Sequence, residues 1–173
     1  AVPGARLWIV GSGPLEADLR ARAAGLPVEF LGAVPNNEVA ALLKRAKIFA
    51  LPSAYEGSPK ALLEAMASGL AVIGGNVPGV RDIVRHEETG MLVDLTAESF
   101  AQAIRRLVED RPLAERMGAE ARLFVMERYS MDAVREIQVN LEAGKIRDHF
   151  RVAVLCEADL LGEEAANRML KTL

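Results

Sequence analysis

The chain has 173 residues, of which 51% are hydrophobic and 26% charged, a balance that supports one packed domain and excludes an intrinsically disordered segment. Aromatic residues make up only 5% while Ala, Leu and Val abound, which suits a helix-rich α/β core better than a β-sandwich. With a formal net charge of −3, one cysteine (Cys156) and no apolar run near ~20 residues, the sequence predicts no nucleic-acid partner, no disulfide or zinc framework, no transmembrane segment and no secretory leader, and a cytoplasmic setting is expected.

The elements follow in a repeating cycle. Leu7–Val10 is a short apolar strand that stops at Gly11-Ser12-Gly13-Pro14, and a helical period runs from Leu15 to Ala24. Val28–Leu31 is a second strand, Gly32 to Pro35 a turn, and Val39, Leu42 and Leu43 recur at helical spacing behind Asn36 as the expected cap. Ile48–Leu51 leads through Pro52 to Ser58 into a helix from about Pro59 to Ser68, ended by Gly69. Ala71–Ile73, a Gly-rich loop with Asn76 and Pro78, and a short helix through Val80, Ile83 and Val84 make the fourth unit. Thr89 and Gly90 introduce a fifth strand, Met91–Val93. Strands alternating with helices at this spacing predict a parallel, Rossmann-like α/β sheet with right-handed crossovers and helices on both faces.

From Thr96 the pattern is helical. Phe100, Ile104, Leu107 and Val108 form one face, Leu113, Met117 and Ala121 another after Pro112, and Ser130 caps a further helix through Val134, Ile137 and Leu141. Beyond Gly144, Phe150–Cys156 reads as a new strand, with Cys156 buried in it, and Gly162 leads into an amphipathic helix with Ala166, Met169 and Leu170. Residues 1–143 are thus expected to form one domain. Residues 144–173 form an extra strand-helix unit that either completes this sheet or begins a further domain.

Ligands of open parallel sheets bind at the carboxyl ends of the strands, which directs attention to the loops at Gly11, Gly32, Tyr55 and Gly74. Gly11-Ser12-Gly13 is not a dinucleotide fingerprint, because Glu16 holds the third glycine position, and a nicotinamide oxidoreductase is set aside on that ground. The stretch Tyr55-Glu56-Gly57-Ser58-Pro59-Lys60-Ala61-Leu62-Leu63-Glu64 is more informative. Pro59 suits a first helical turn, the neighbouring amides of Ser58, Lys60 and Ala61 are available to an anion, and Glu64 stands a turn further on for vicinal hydroxyls. Glu56 would meet another hydroxylated group beyond the anion. A plainer reading has Glu56 capping the helix and Glu64 solvated. Lys60 reads as a surface lysine within reach of phosphates, Trp8 and Tyr55 as packing residues. His86 and His149 lack metal-ligand company, and no metal is expected.

In these motifs the sequence resembles the C-terminal, nucleotide-sugar-binding domain of retaining GT-B glycosyltransferases of family 4 (group 1). Glu56 and Glu64 match a Glu-x7-Glu motif that continues as Glu64-Ala-Met-Ala-Ser-Gly-Leu-Ala-Val-Ile. Leu7 to Pro14, Phe30-Leu-Gly, Leu51-Pro-Ser-Ala-Tyr-Glu-Gly, Val77-Pro-Gly-Val-Arg-Asp-Ile-Val and Thr89-Gly-Met-Leu-Val extend the likeness in order. The resemblance implies one half of a GT-B fold with C-terminal helices. In its donor site Glu56 orients the transferred sugar, Glu64 holds the ribose hydroxyls, and Gly57, Ser58, Pro59, Lys60 and Ala61 face the sugar and diphosphate. Val34 borders the base, with Gly11 and Gly13 lining the crevice.

It further implies hexosyl transfer with retention to a glycan or lipid acceptor and no cofactor beyond a nucleotide-sugar substrate. The Gly-Ser-Pro-Lys form of the loop resembles relatives that build surface polysaccharides from UDP-sugars, which favours UDP. Donor domains of this kind open with a strand and loop carrying Arg and Lys and work with a second, acceptor-binding domain. This sequence begins past that strand, so the fragment is expected to be inactive alone, its parent protein cytoplasmic with room for peripheral attachment at the inner membrane. The alternative is a structural or assembly module with a vestigial ligand site, self-associating through the tail strand.

Overall fold

The structure, a computed structural model, describes residues 5–54, 59–129 and 150–155, the last of these as backbone. Its elements are β1 (Ala5–Val10), α1 (Glu16–Arg22), β2 (Val28–Gly32), α2 (Asn36–Arg45), β3 (Ile48–Leu51), α3 (Lys60–Ala67), β4 (Ala71–Gly75), α4 (Pro78–Arg81), β5 (Gly90–Val93), α5 (Ala97–Glu109), α6 (Arg111–Arg128) and β6 (Phe150–Leu155). All strand pairs are parallel, in the order β2-β1-β6-β3-β4-β5. The α/β, Rossmann-like architecture expected from the alternation is the one observed.

Strand alternation explains why the sheet is covered twice. Ile48 and Ala50 of β3, with Ala71 and Ile73 of β4 and Leu7 and Ile9 of β1, join one cluster with Leu19 of α1 and Phe100, Ile104 and Leu107 of α5. The intervening Phe49, Leu51 and Val72 belong to a second cluster with Leu43 of α2, Leu62 and Met66 of α3 and Val80 of α4. β3 is buried along its whole length, as expected of a parallel strand packed on both faces. Helix α6 serves both layers. Its Ala114 and Met117 lie in the first cluster, and Ala121, Phe124 and Val125 in the second.

Between them stands Gly118. A Cβ there would overlap the Gly69 carbonyl oxygen and come within 2.9 Å of the Gly69 carbonyl carbon, so α6 rides directly on the α3–β4 turn. That turn is made by Gly69 itself, at φ 77, after the C-cap residue Ser68.

Three local expectations are corrected. Asn36 does not cap α2: it is the first helical residue, and Pro35, in an extended conformation, precedes it and accepts the amides of Glu38 and Val39 at 2.8 and 3.3 Å. The first helix ends at Arg22, short of Ala24. α4 is a single turn ending at Arg81, with Ile83 and Val84 in the following turn, where both amides still bond to the Val80 carbonyl and both side chains are buried. Helix starts after Thr96 and Asp110 are closed by those side chains, which accept the amides of Ser99 and Leu113 at 3.2 and 3.0 Å. Ser130, the helix expected after it, Cys156, His149 and the tail helix lie outside the described residues.

Candidate functional site at the carboxyl ends of the strands

With all strands parallel, one rim of the sheet gathers every strand-to-helix loop, and helices returning from it start at that rim. β1 ends at Val10, and the Gly11 amide donates to the Gly32 carbonyl at 2.8 Å, tying the loop after β1 to the end of β2. Gly32 has φ 66, and a Cβ placed on it would meet nothing within 4 Å, so its backbone borders open space. Gly13 accepts the Glu16 amide at 3.1 Å and starts α1, and Val34, two residues past β2, is half-buried at the same rim.

On the other side of the sheet's middle, β3 runs into Pro52 and Ser53, and Pro59 stands ahead of α3. Pro59 stands at the N-cap position without a side-chain capping bond, and the first turn of α3 carries no acidic residue. Leu62 and Leu63 donate to the Pro59 carbonyl at 3.0 and 3.2 Å, so the amides of Lys60 and Ala61 precede the first bond of the helix. The helix dipole directs partial positive charge to this end, and exposed Lys60 adds a full charge. Glu64 follows Lys60 by four residues and Ala61 by three, which puts all three on one stripe of the helix. Glu64 is half-buried, which sets it apart from a freely solvated acid.

Pro59, Lys60, Ala61 and Glu64 therefore stand together at one helix end, with Gly11, Gly13 and Val34 on the same rim beyond β6. Tyr55, Glu56, Gly57 and Ser58 lie outside the described residues. Trp8 is a packing residue: it is 3% exposed, donates from Nε1 to Glu29 at 2.9 Å and carries the Arg45 guanidinium over its ring. His86 is exposed and accepts the Leu92 amide on Nδ1 at 3.0 Å, a clasp between the α4–β5 connection and β5. Among the described residues no three His, Cys, Asp or Glu side chains gather for a metal, and no helix is long and apolar enough to cross a membrane.

The Gly74 loop differs from the Gly32 loop. A Cβ on Gly74 would come within 2.5 Å of Val80, and one on Gly75 would overlap Leu95 and approach the Ser53 carbonyl oxygen to 3.1 Å, so these glycines serve the protein's own packing. Ser53, two residues past the end of β3, is only 4% exposed, a burial that its polar side chain does not announce. Its sequence signals are its place after Pro52 beyond a fully apolar strand and within the run Leu51-Pro-Ser-Ala-Tyr-Glu-Gly.

Comparison with known proteins bears on the family and the fold. Residues 1–124 match the family model for glycosyl transferases group 1. The chain is 35% identical over 162 residues to the GDP-mannose-dependent alpha-(1-6)-phosphatidylinositol monomannoside mannosyltransferase of Mycobacterium tuberculosis, covering 87% of this chain and 40% of that one. It is 32% identical over 125 residues to the sulfoquinovosyl transferase SQD2 of Arabidopsis thaliana, covering 70% of this chain and 24% of that one.

Among solved structures, sucrose-phosphate synthase from Thermosynechococcus elongatus superposes with a TM-score of 0.69 at 30% identity, over 81% of this chain and 38% of that one. Anabaena HepE in complex with UDP-glucose superposes with a TM-score of 0.68 at 20% identity, a likeness of fold, over 80% of this chain and 41% of that one. The chain spans 40% or less of the length of these two curated relatives. Its Rossmann-like sheet is of the GT-B type, and the chain belongs to the group 1 glycosyl transferases.

Proposed function

We propose that this domain binds a nucleotide-diphosphate sugar across the carboxyl rim of its sheet and presents the sugar for hexosyl transfer, with retention, to a glycan or lipid acceptor. The supporting observation is the N-terminus of α3, which has no side-chain cap and no first-turn acid, and carries Glu64 on the stripe of Lys60 and Ala61. Those amides and the Lys60 ammonium suit a diphosphate. Glu64, about 6 Å further along the axis at 1.5 Å per residue, suits the paired hydroxyls of the adjoining ribose. Val34 and the open backbone at Gly32 suit the base, and Glu56 with Gly57 and Ser58 would meet the sugar.

In this reading the domain stabilises the departing diphosphate and orients the sugar, work that is electrostatic and positional and requires no protein nucleophile. An acceptor-binding domain is the partner that completes the enzyme, and this chain by itself is inactive in transfer. The setting proposed is cytoplasmic, with peripheral attachment to the inner membrane in the parent protein. The form of the 57–60 loop favours a UDP-sugar. A GDP-sugar is the second reading, favoured by the relative that is 35% identical and GDP-mannose-dependent.

Isothermal titration of the chain with UDP-glucose, GDP-mannose and ADP-glucose tests the proposal. At least one should bind, and Glu64→Ala, folded by circular dichroism, should weaken it about 10- to 100-fold, the loss expected of hydrogen bonds to a charged acceptor. Silence with all three donors would refute donor binding, and an unchanged affinity in Glu64→Ala would refute the place given to Glu64.

A further inference from the structure

Two polar residues are buried among the described ones, Thr89 at 3% exposure and Ser53 at 4%. Thr89 is accounted for within the chain, since its hydroxyl oxygen accepts the Arg85 amide at 2.9 Å in the connection between α4 and β5. Ser53 has no such role. Its hydroxyl makes no hydrogen bond with any described residue, and at this burial bulk water does not serve as the partner. A buried hydroxyl without a partner costs folding free energy, and native proteins keep few of them. Departures of this kind from local rules concentrate where a chain has a function to serve.

Backbone on both sides fixes where Ser53 stands. Leu51, the last residue of β3, is registered on Gly74, and Pro52 restricts the step that follows. The Ser53 carbonyl oxygen then lies 3.1 Å from the point where a side chain on Gly75 would begin, a close approach that the glycine allows. Ser53 is thereby held at the carboxyl rim, at the β3 end of the connection that leads to α3. The other end of that connection has the same want. Pro59 brings no side-chain cap, the first turn of α3 holds no acid, and the amides of Lys60 and Ala61 precede the first bond of the helix. Amides only donate, so a single ligand that serves both ends has to offer acceptors, and an anion with several oxygens does so.

We propose that Ser53 is a further binding residue of the donor site, its hydroxyl donating to an oxygen of the diphosphate. The proposal rests on the donor-site reading given above and adds to it a contact from the β3 side. It carries an unusual consequence, because the free chain holds an unsatisfied hydroxyl that the ligand relieves. Deleting that hydroxyl should spare or help the free chain and harm the complex. A structural hydrogen bond behaves in the opposite way, its loss falling first on the free chain.

Ser53→Ala removes the oxygen and leaves the backbone as it is. In urea unfolding of the ligand-free chain, followed by circular dichroism, its midpoint should stay level or rise. A lowered midpoint would show the hydroxyl already bonded in the free chain and overturn the proposal.

Isothermal titration of both proteins with UDP, GDP and ADP, and with UDP-glucose, GDP-mannose and ADP-glucose, reads the contact itself. The nucleotides that bind the unaltered chain should bind Ser53→Ala at least fivefold more weakly, by the same factor with the sugar and without it, since the diphosphate is common to both. Equal affinity in the two proteins would leave donor binding standing and overturn the role of Ser53, making a buried water its partner. A loss confined to the sugar nucleotides would place the hydroxyl on the sugar and overturn its assignment to the diphosphate. An unaltered chain that binds none of the six sinks the donor-site reading, and this contact falls with it whatever the unfolding midpoints show.

Discussion

Gly118→Ala is expected to destabilise the fold although it replaces the poorest common helix former but proline with the best. In a free helix the exchange would gain about 1 kcal/mol. Here the new methyl overlaps the Gly69 carbonyl oxygen and stands 2.9 Å from the Gly69 carbonyl carbon and 3.2 Å from that of Leu70. All three atoms are backbone, and the turn that holds them is fixed by Gly69 amide to Met66 carbonyl and Leu70 amide to Ala65 carbonyl bonds of 2.9 and 3.1 Å. Relief therefore falls to α6, which has to withdraw by about 1 Å from an interior packed at crystal-like density. That movement loosens Met117 and Ala121, both fully buried.

Overpacking of this kind costs about 1–3 kcal/mol and at times more, and with rigid backbone on both sides the upper part of that range applies. Net of propensity, about 2 kcal/mol of destabilisation remains, or a fall in Tm of roughly 4–8 °C for a chain of this size. Urea denaturation followed by circular dichroism, with the m-value checked for constancy, measures it. A neutral or more stable Gly118→Ala would refute the contact between α6 and the α3–β4 turn.

Two further outcomes follow from single contacts. Thr96→Ala deletes the side chain that accepts the Ser99 amide at the start of α5 and should cost about 1 kcal/mol in urea unfolding, whereas Thr96→Ser should retain most of it. The Arg106 guanidinium, by hydrogen bond and then by charge, holds the Glu87 carboxyl below the ordinary glutamate value of 4.5. Because the folded pKa is the lower one, the stabilisation is complete above 4.5 and is lost as the pH falls through the folded value. An NMR titration should show the Glu87 midpoint rising in Arg106→Gln, and an unmoved midpoint would refute that pairing.

Much of the fold is legible in the sequence because parallel strands buried on both faces read as uninterrupted apolar runs. Ile48–Leu51, stopped by Pro52, has the bounds in the structure that the run predicts. Helix ends are less legible. Asn36 has the side chain of a cap, but the cap position falls to Pro35, whose extended backbone turns its carbonyl into the helix. Val80, Ile83 and Val84 keep helical spacing in what is a turn, since burial against the sheet demands the same spacing of either.

At the start of α3 the common stripe of Lys60, Ala61 and Glu64 is legible because helix geometry alone aligns them. Ser53 is not, since burial of a lone serine is decided by β4 and the Gly75 backbone beside it. The position of β6 is invisible for a similar reason. An apolar run announces a strand, but its neighbours are chosen by which gap in the sheet is open.

The glycines show how the rim is divided between ligand and protein. Gly74 and Gly75 leave no room for a side chain because Val80 and Leu95 occupy the space, so the β4 end of the rim is closed by the chain itself. At Gly32 the same test finds open space, and the positive φ there is a demand of the turn alone. Open backbone at Gly32 on the β2 side and the start of α3 on the β3 side stand on the same rim, with the ends of β1, β6 and β3 between them. A ligand that uses both boundaries has to be elongated, neutral or apolar at the Val34 end and anionic at Lys60. A compact anion would have no use for the Gly32 side, and a flat apolar ligand none for α3. That polarity, more than any single residue, is what the proposed binding of a base at one end and a diphosphate at the other rests on.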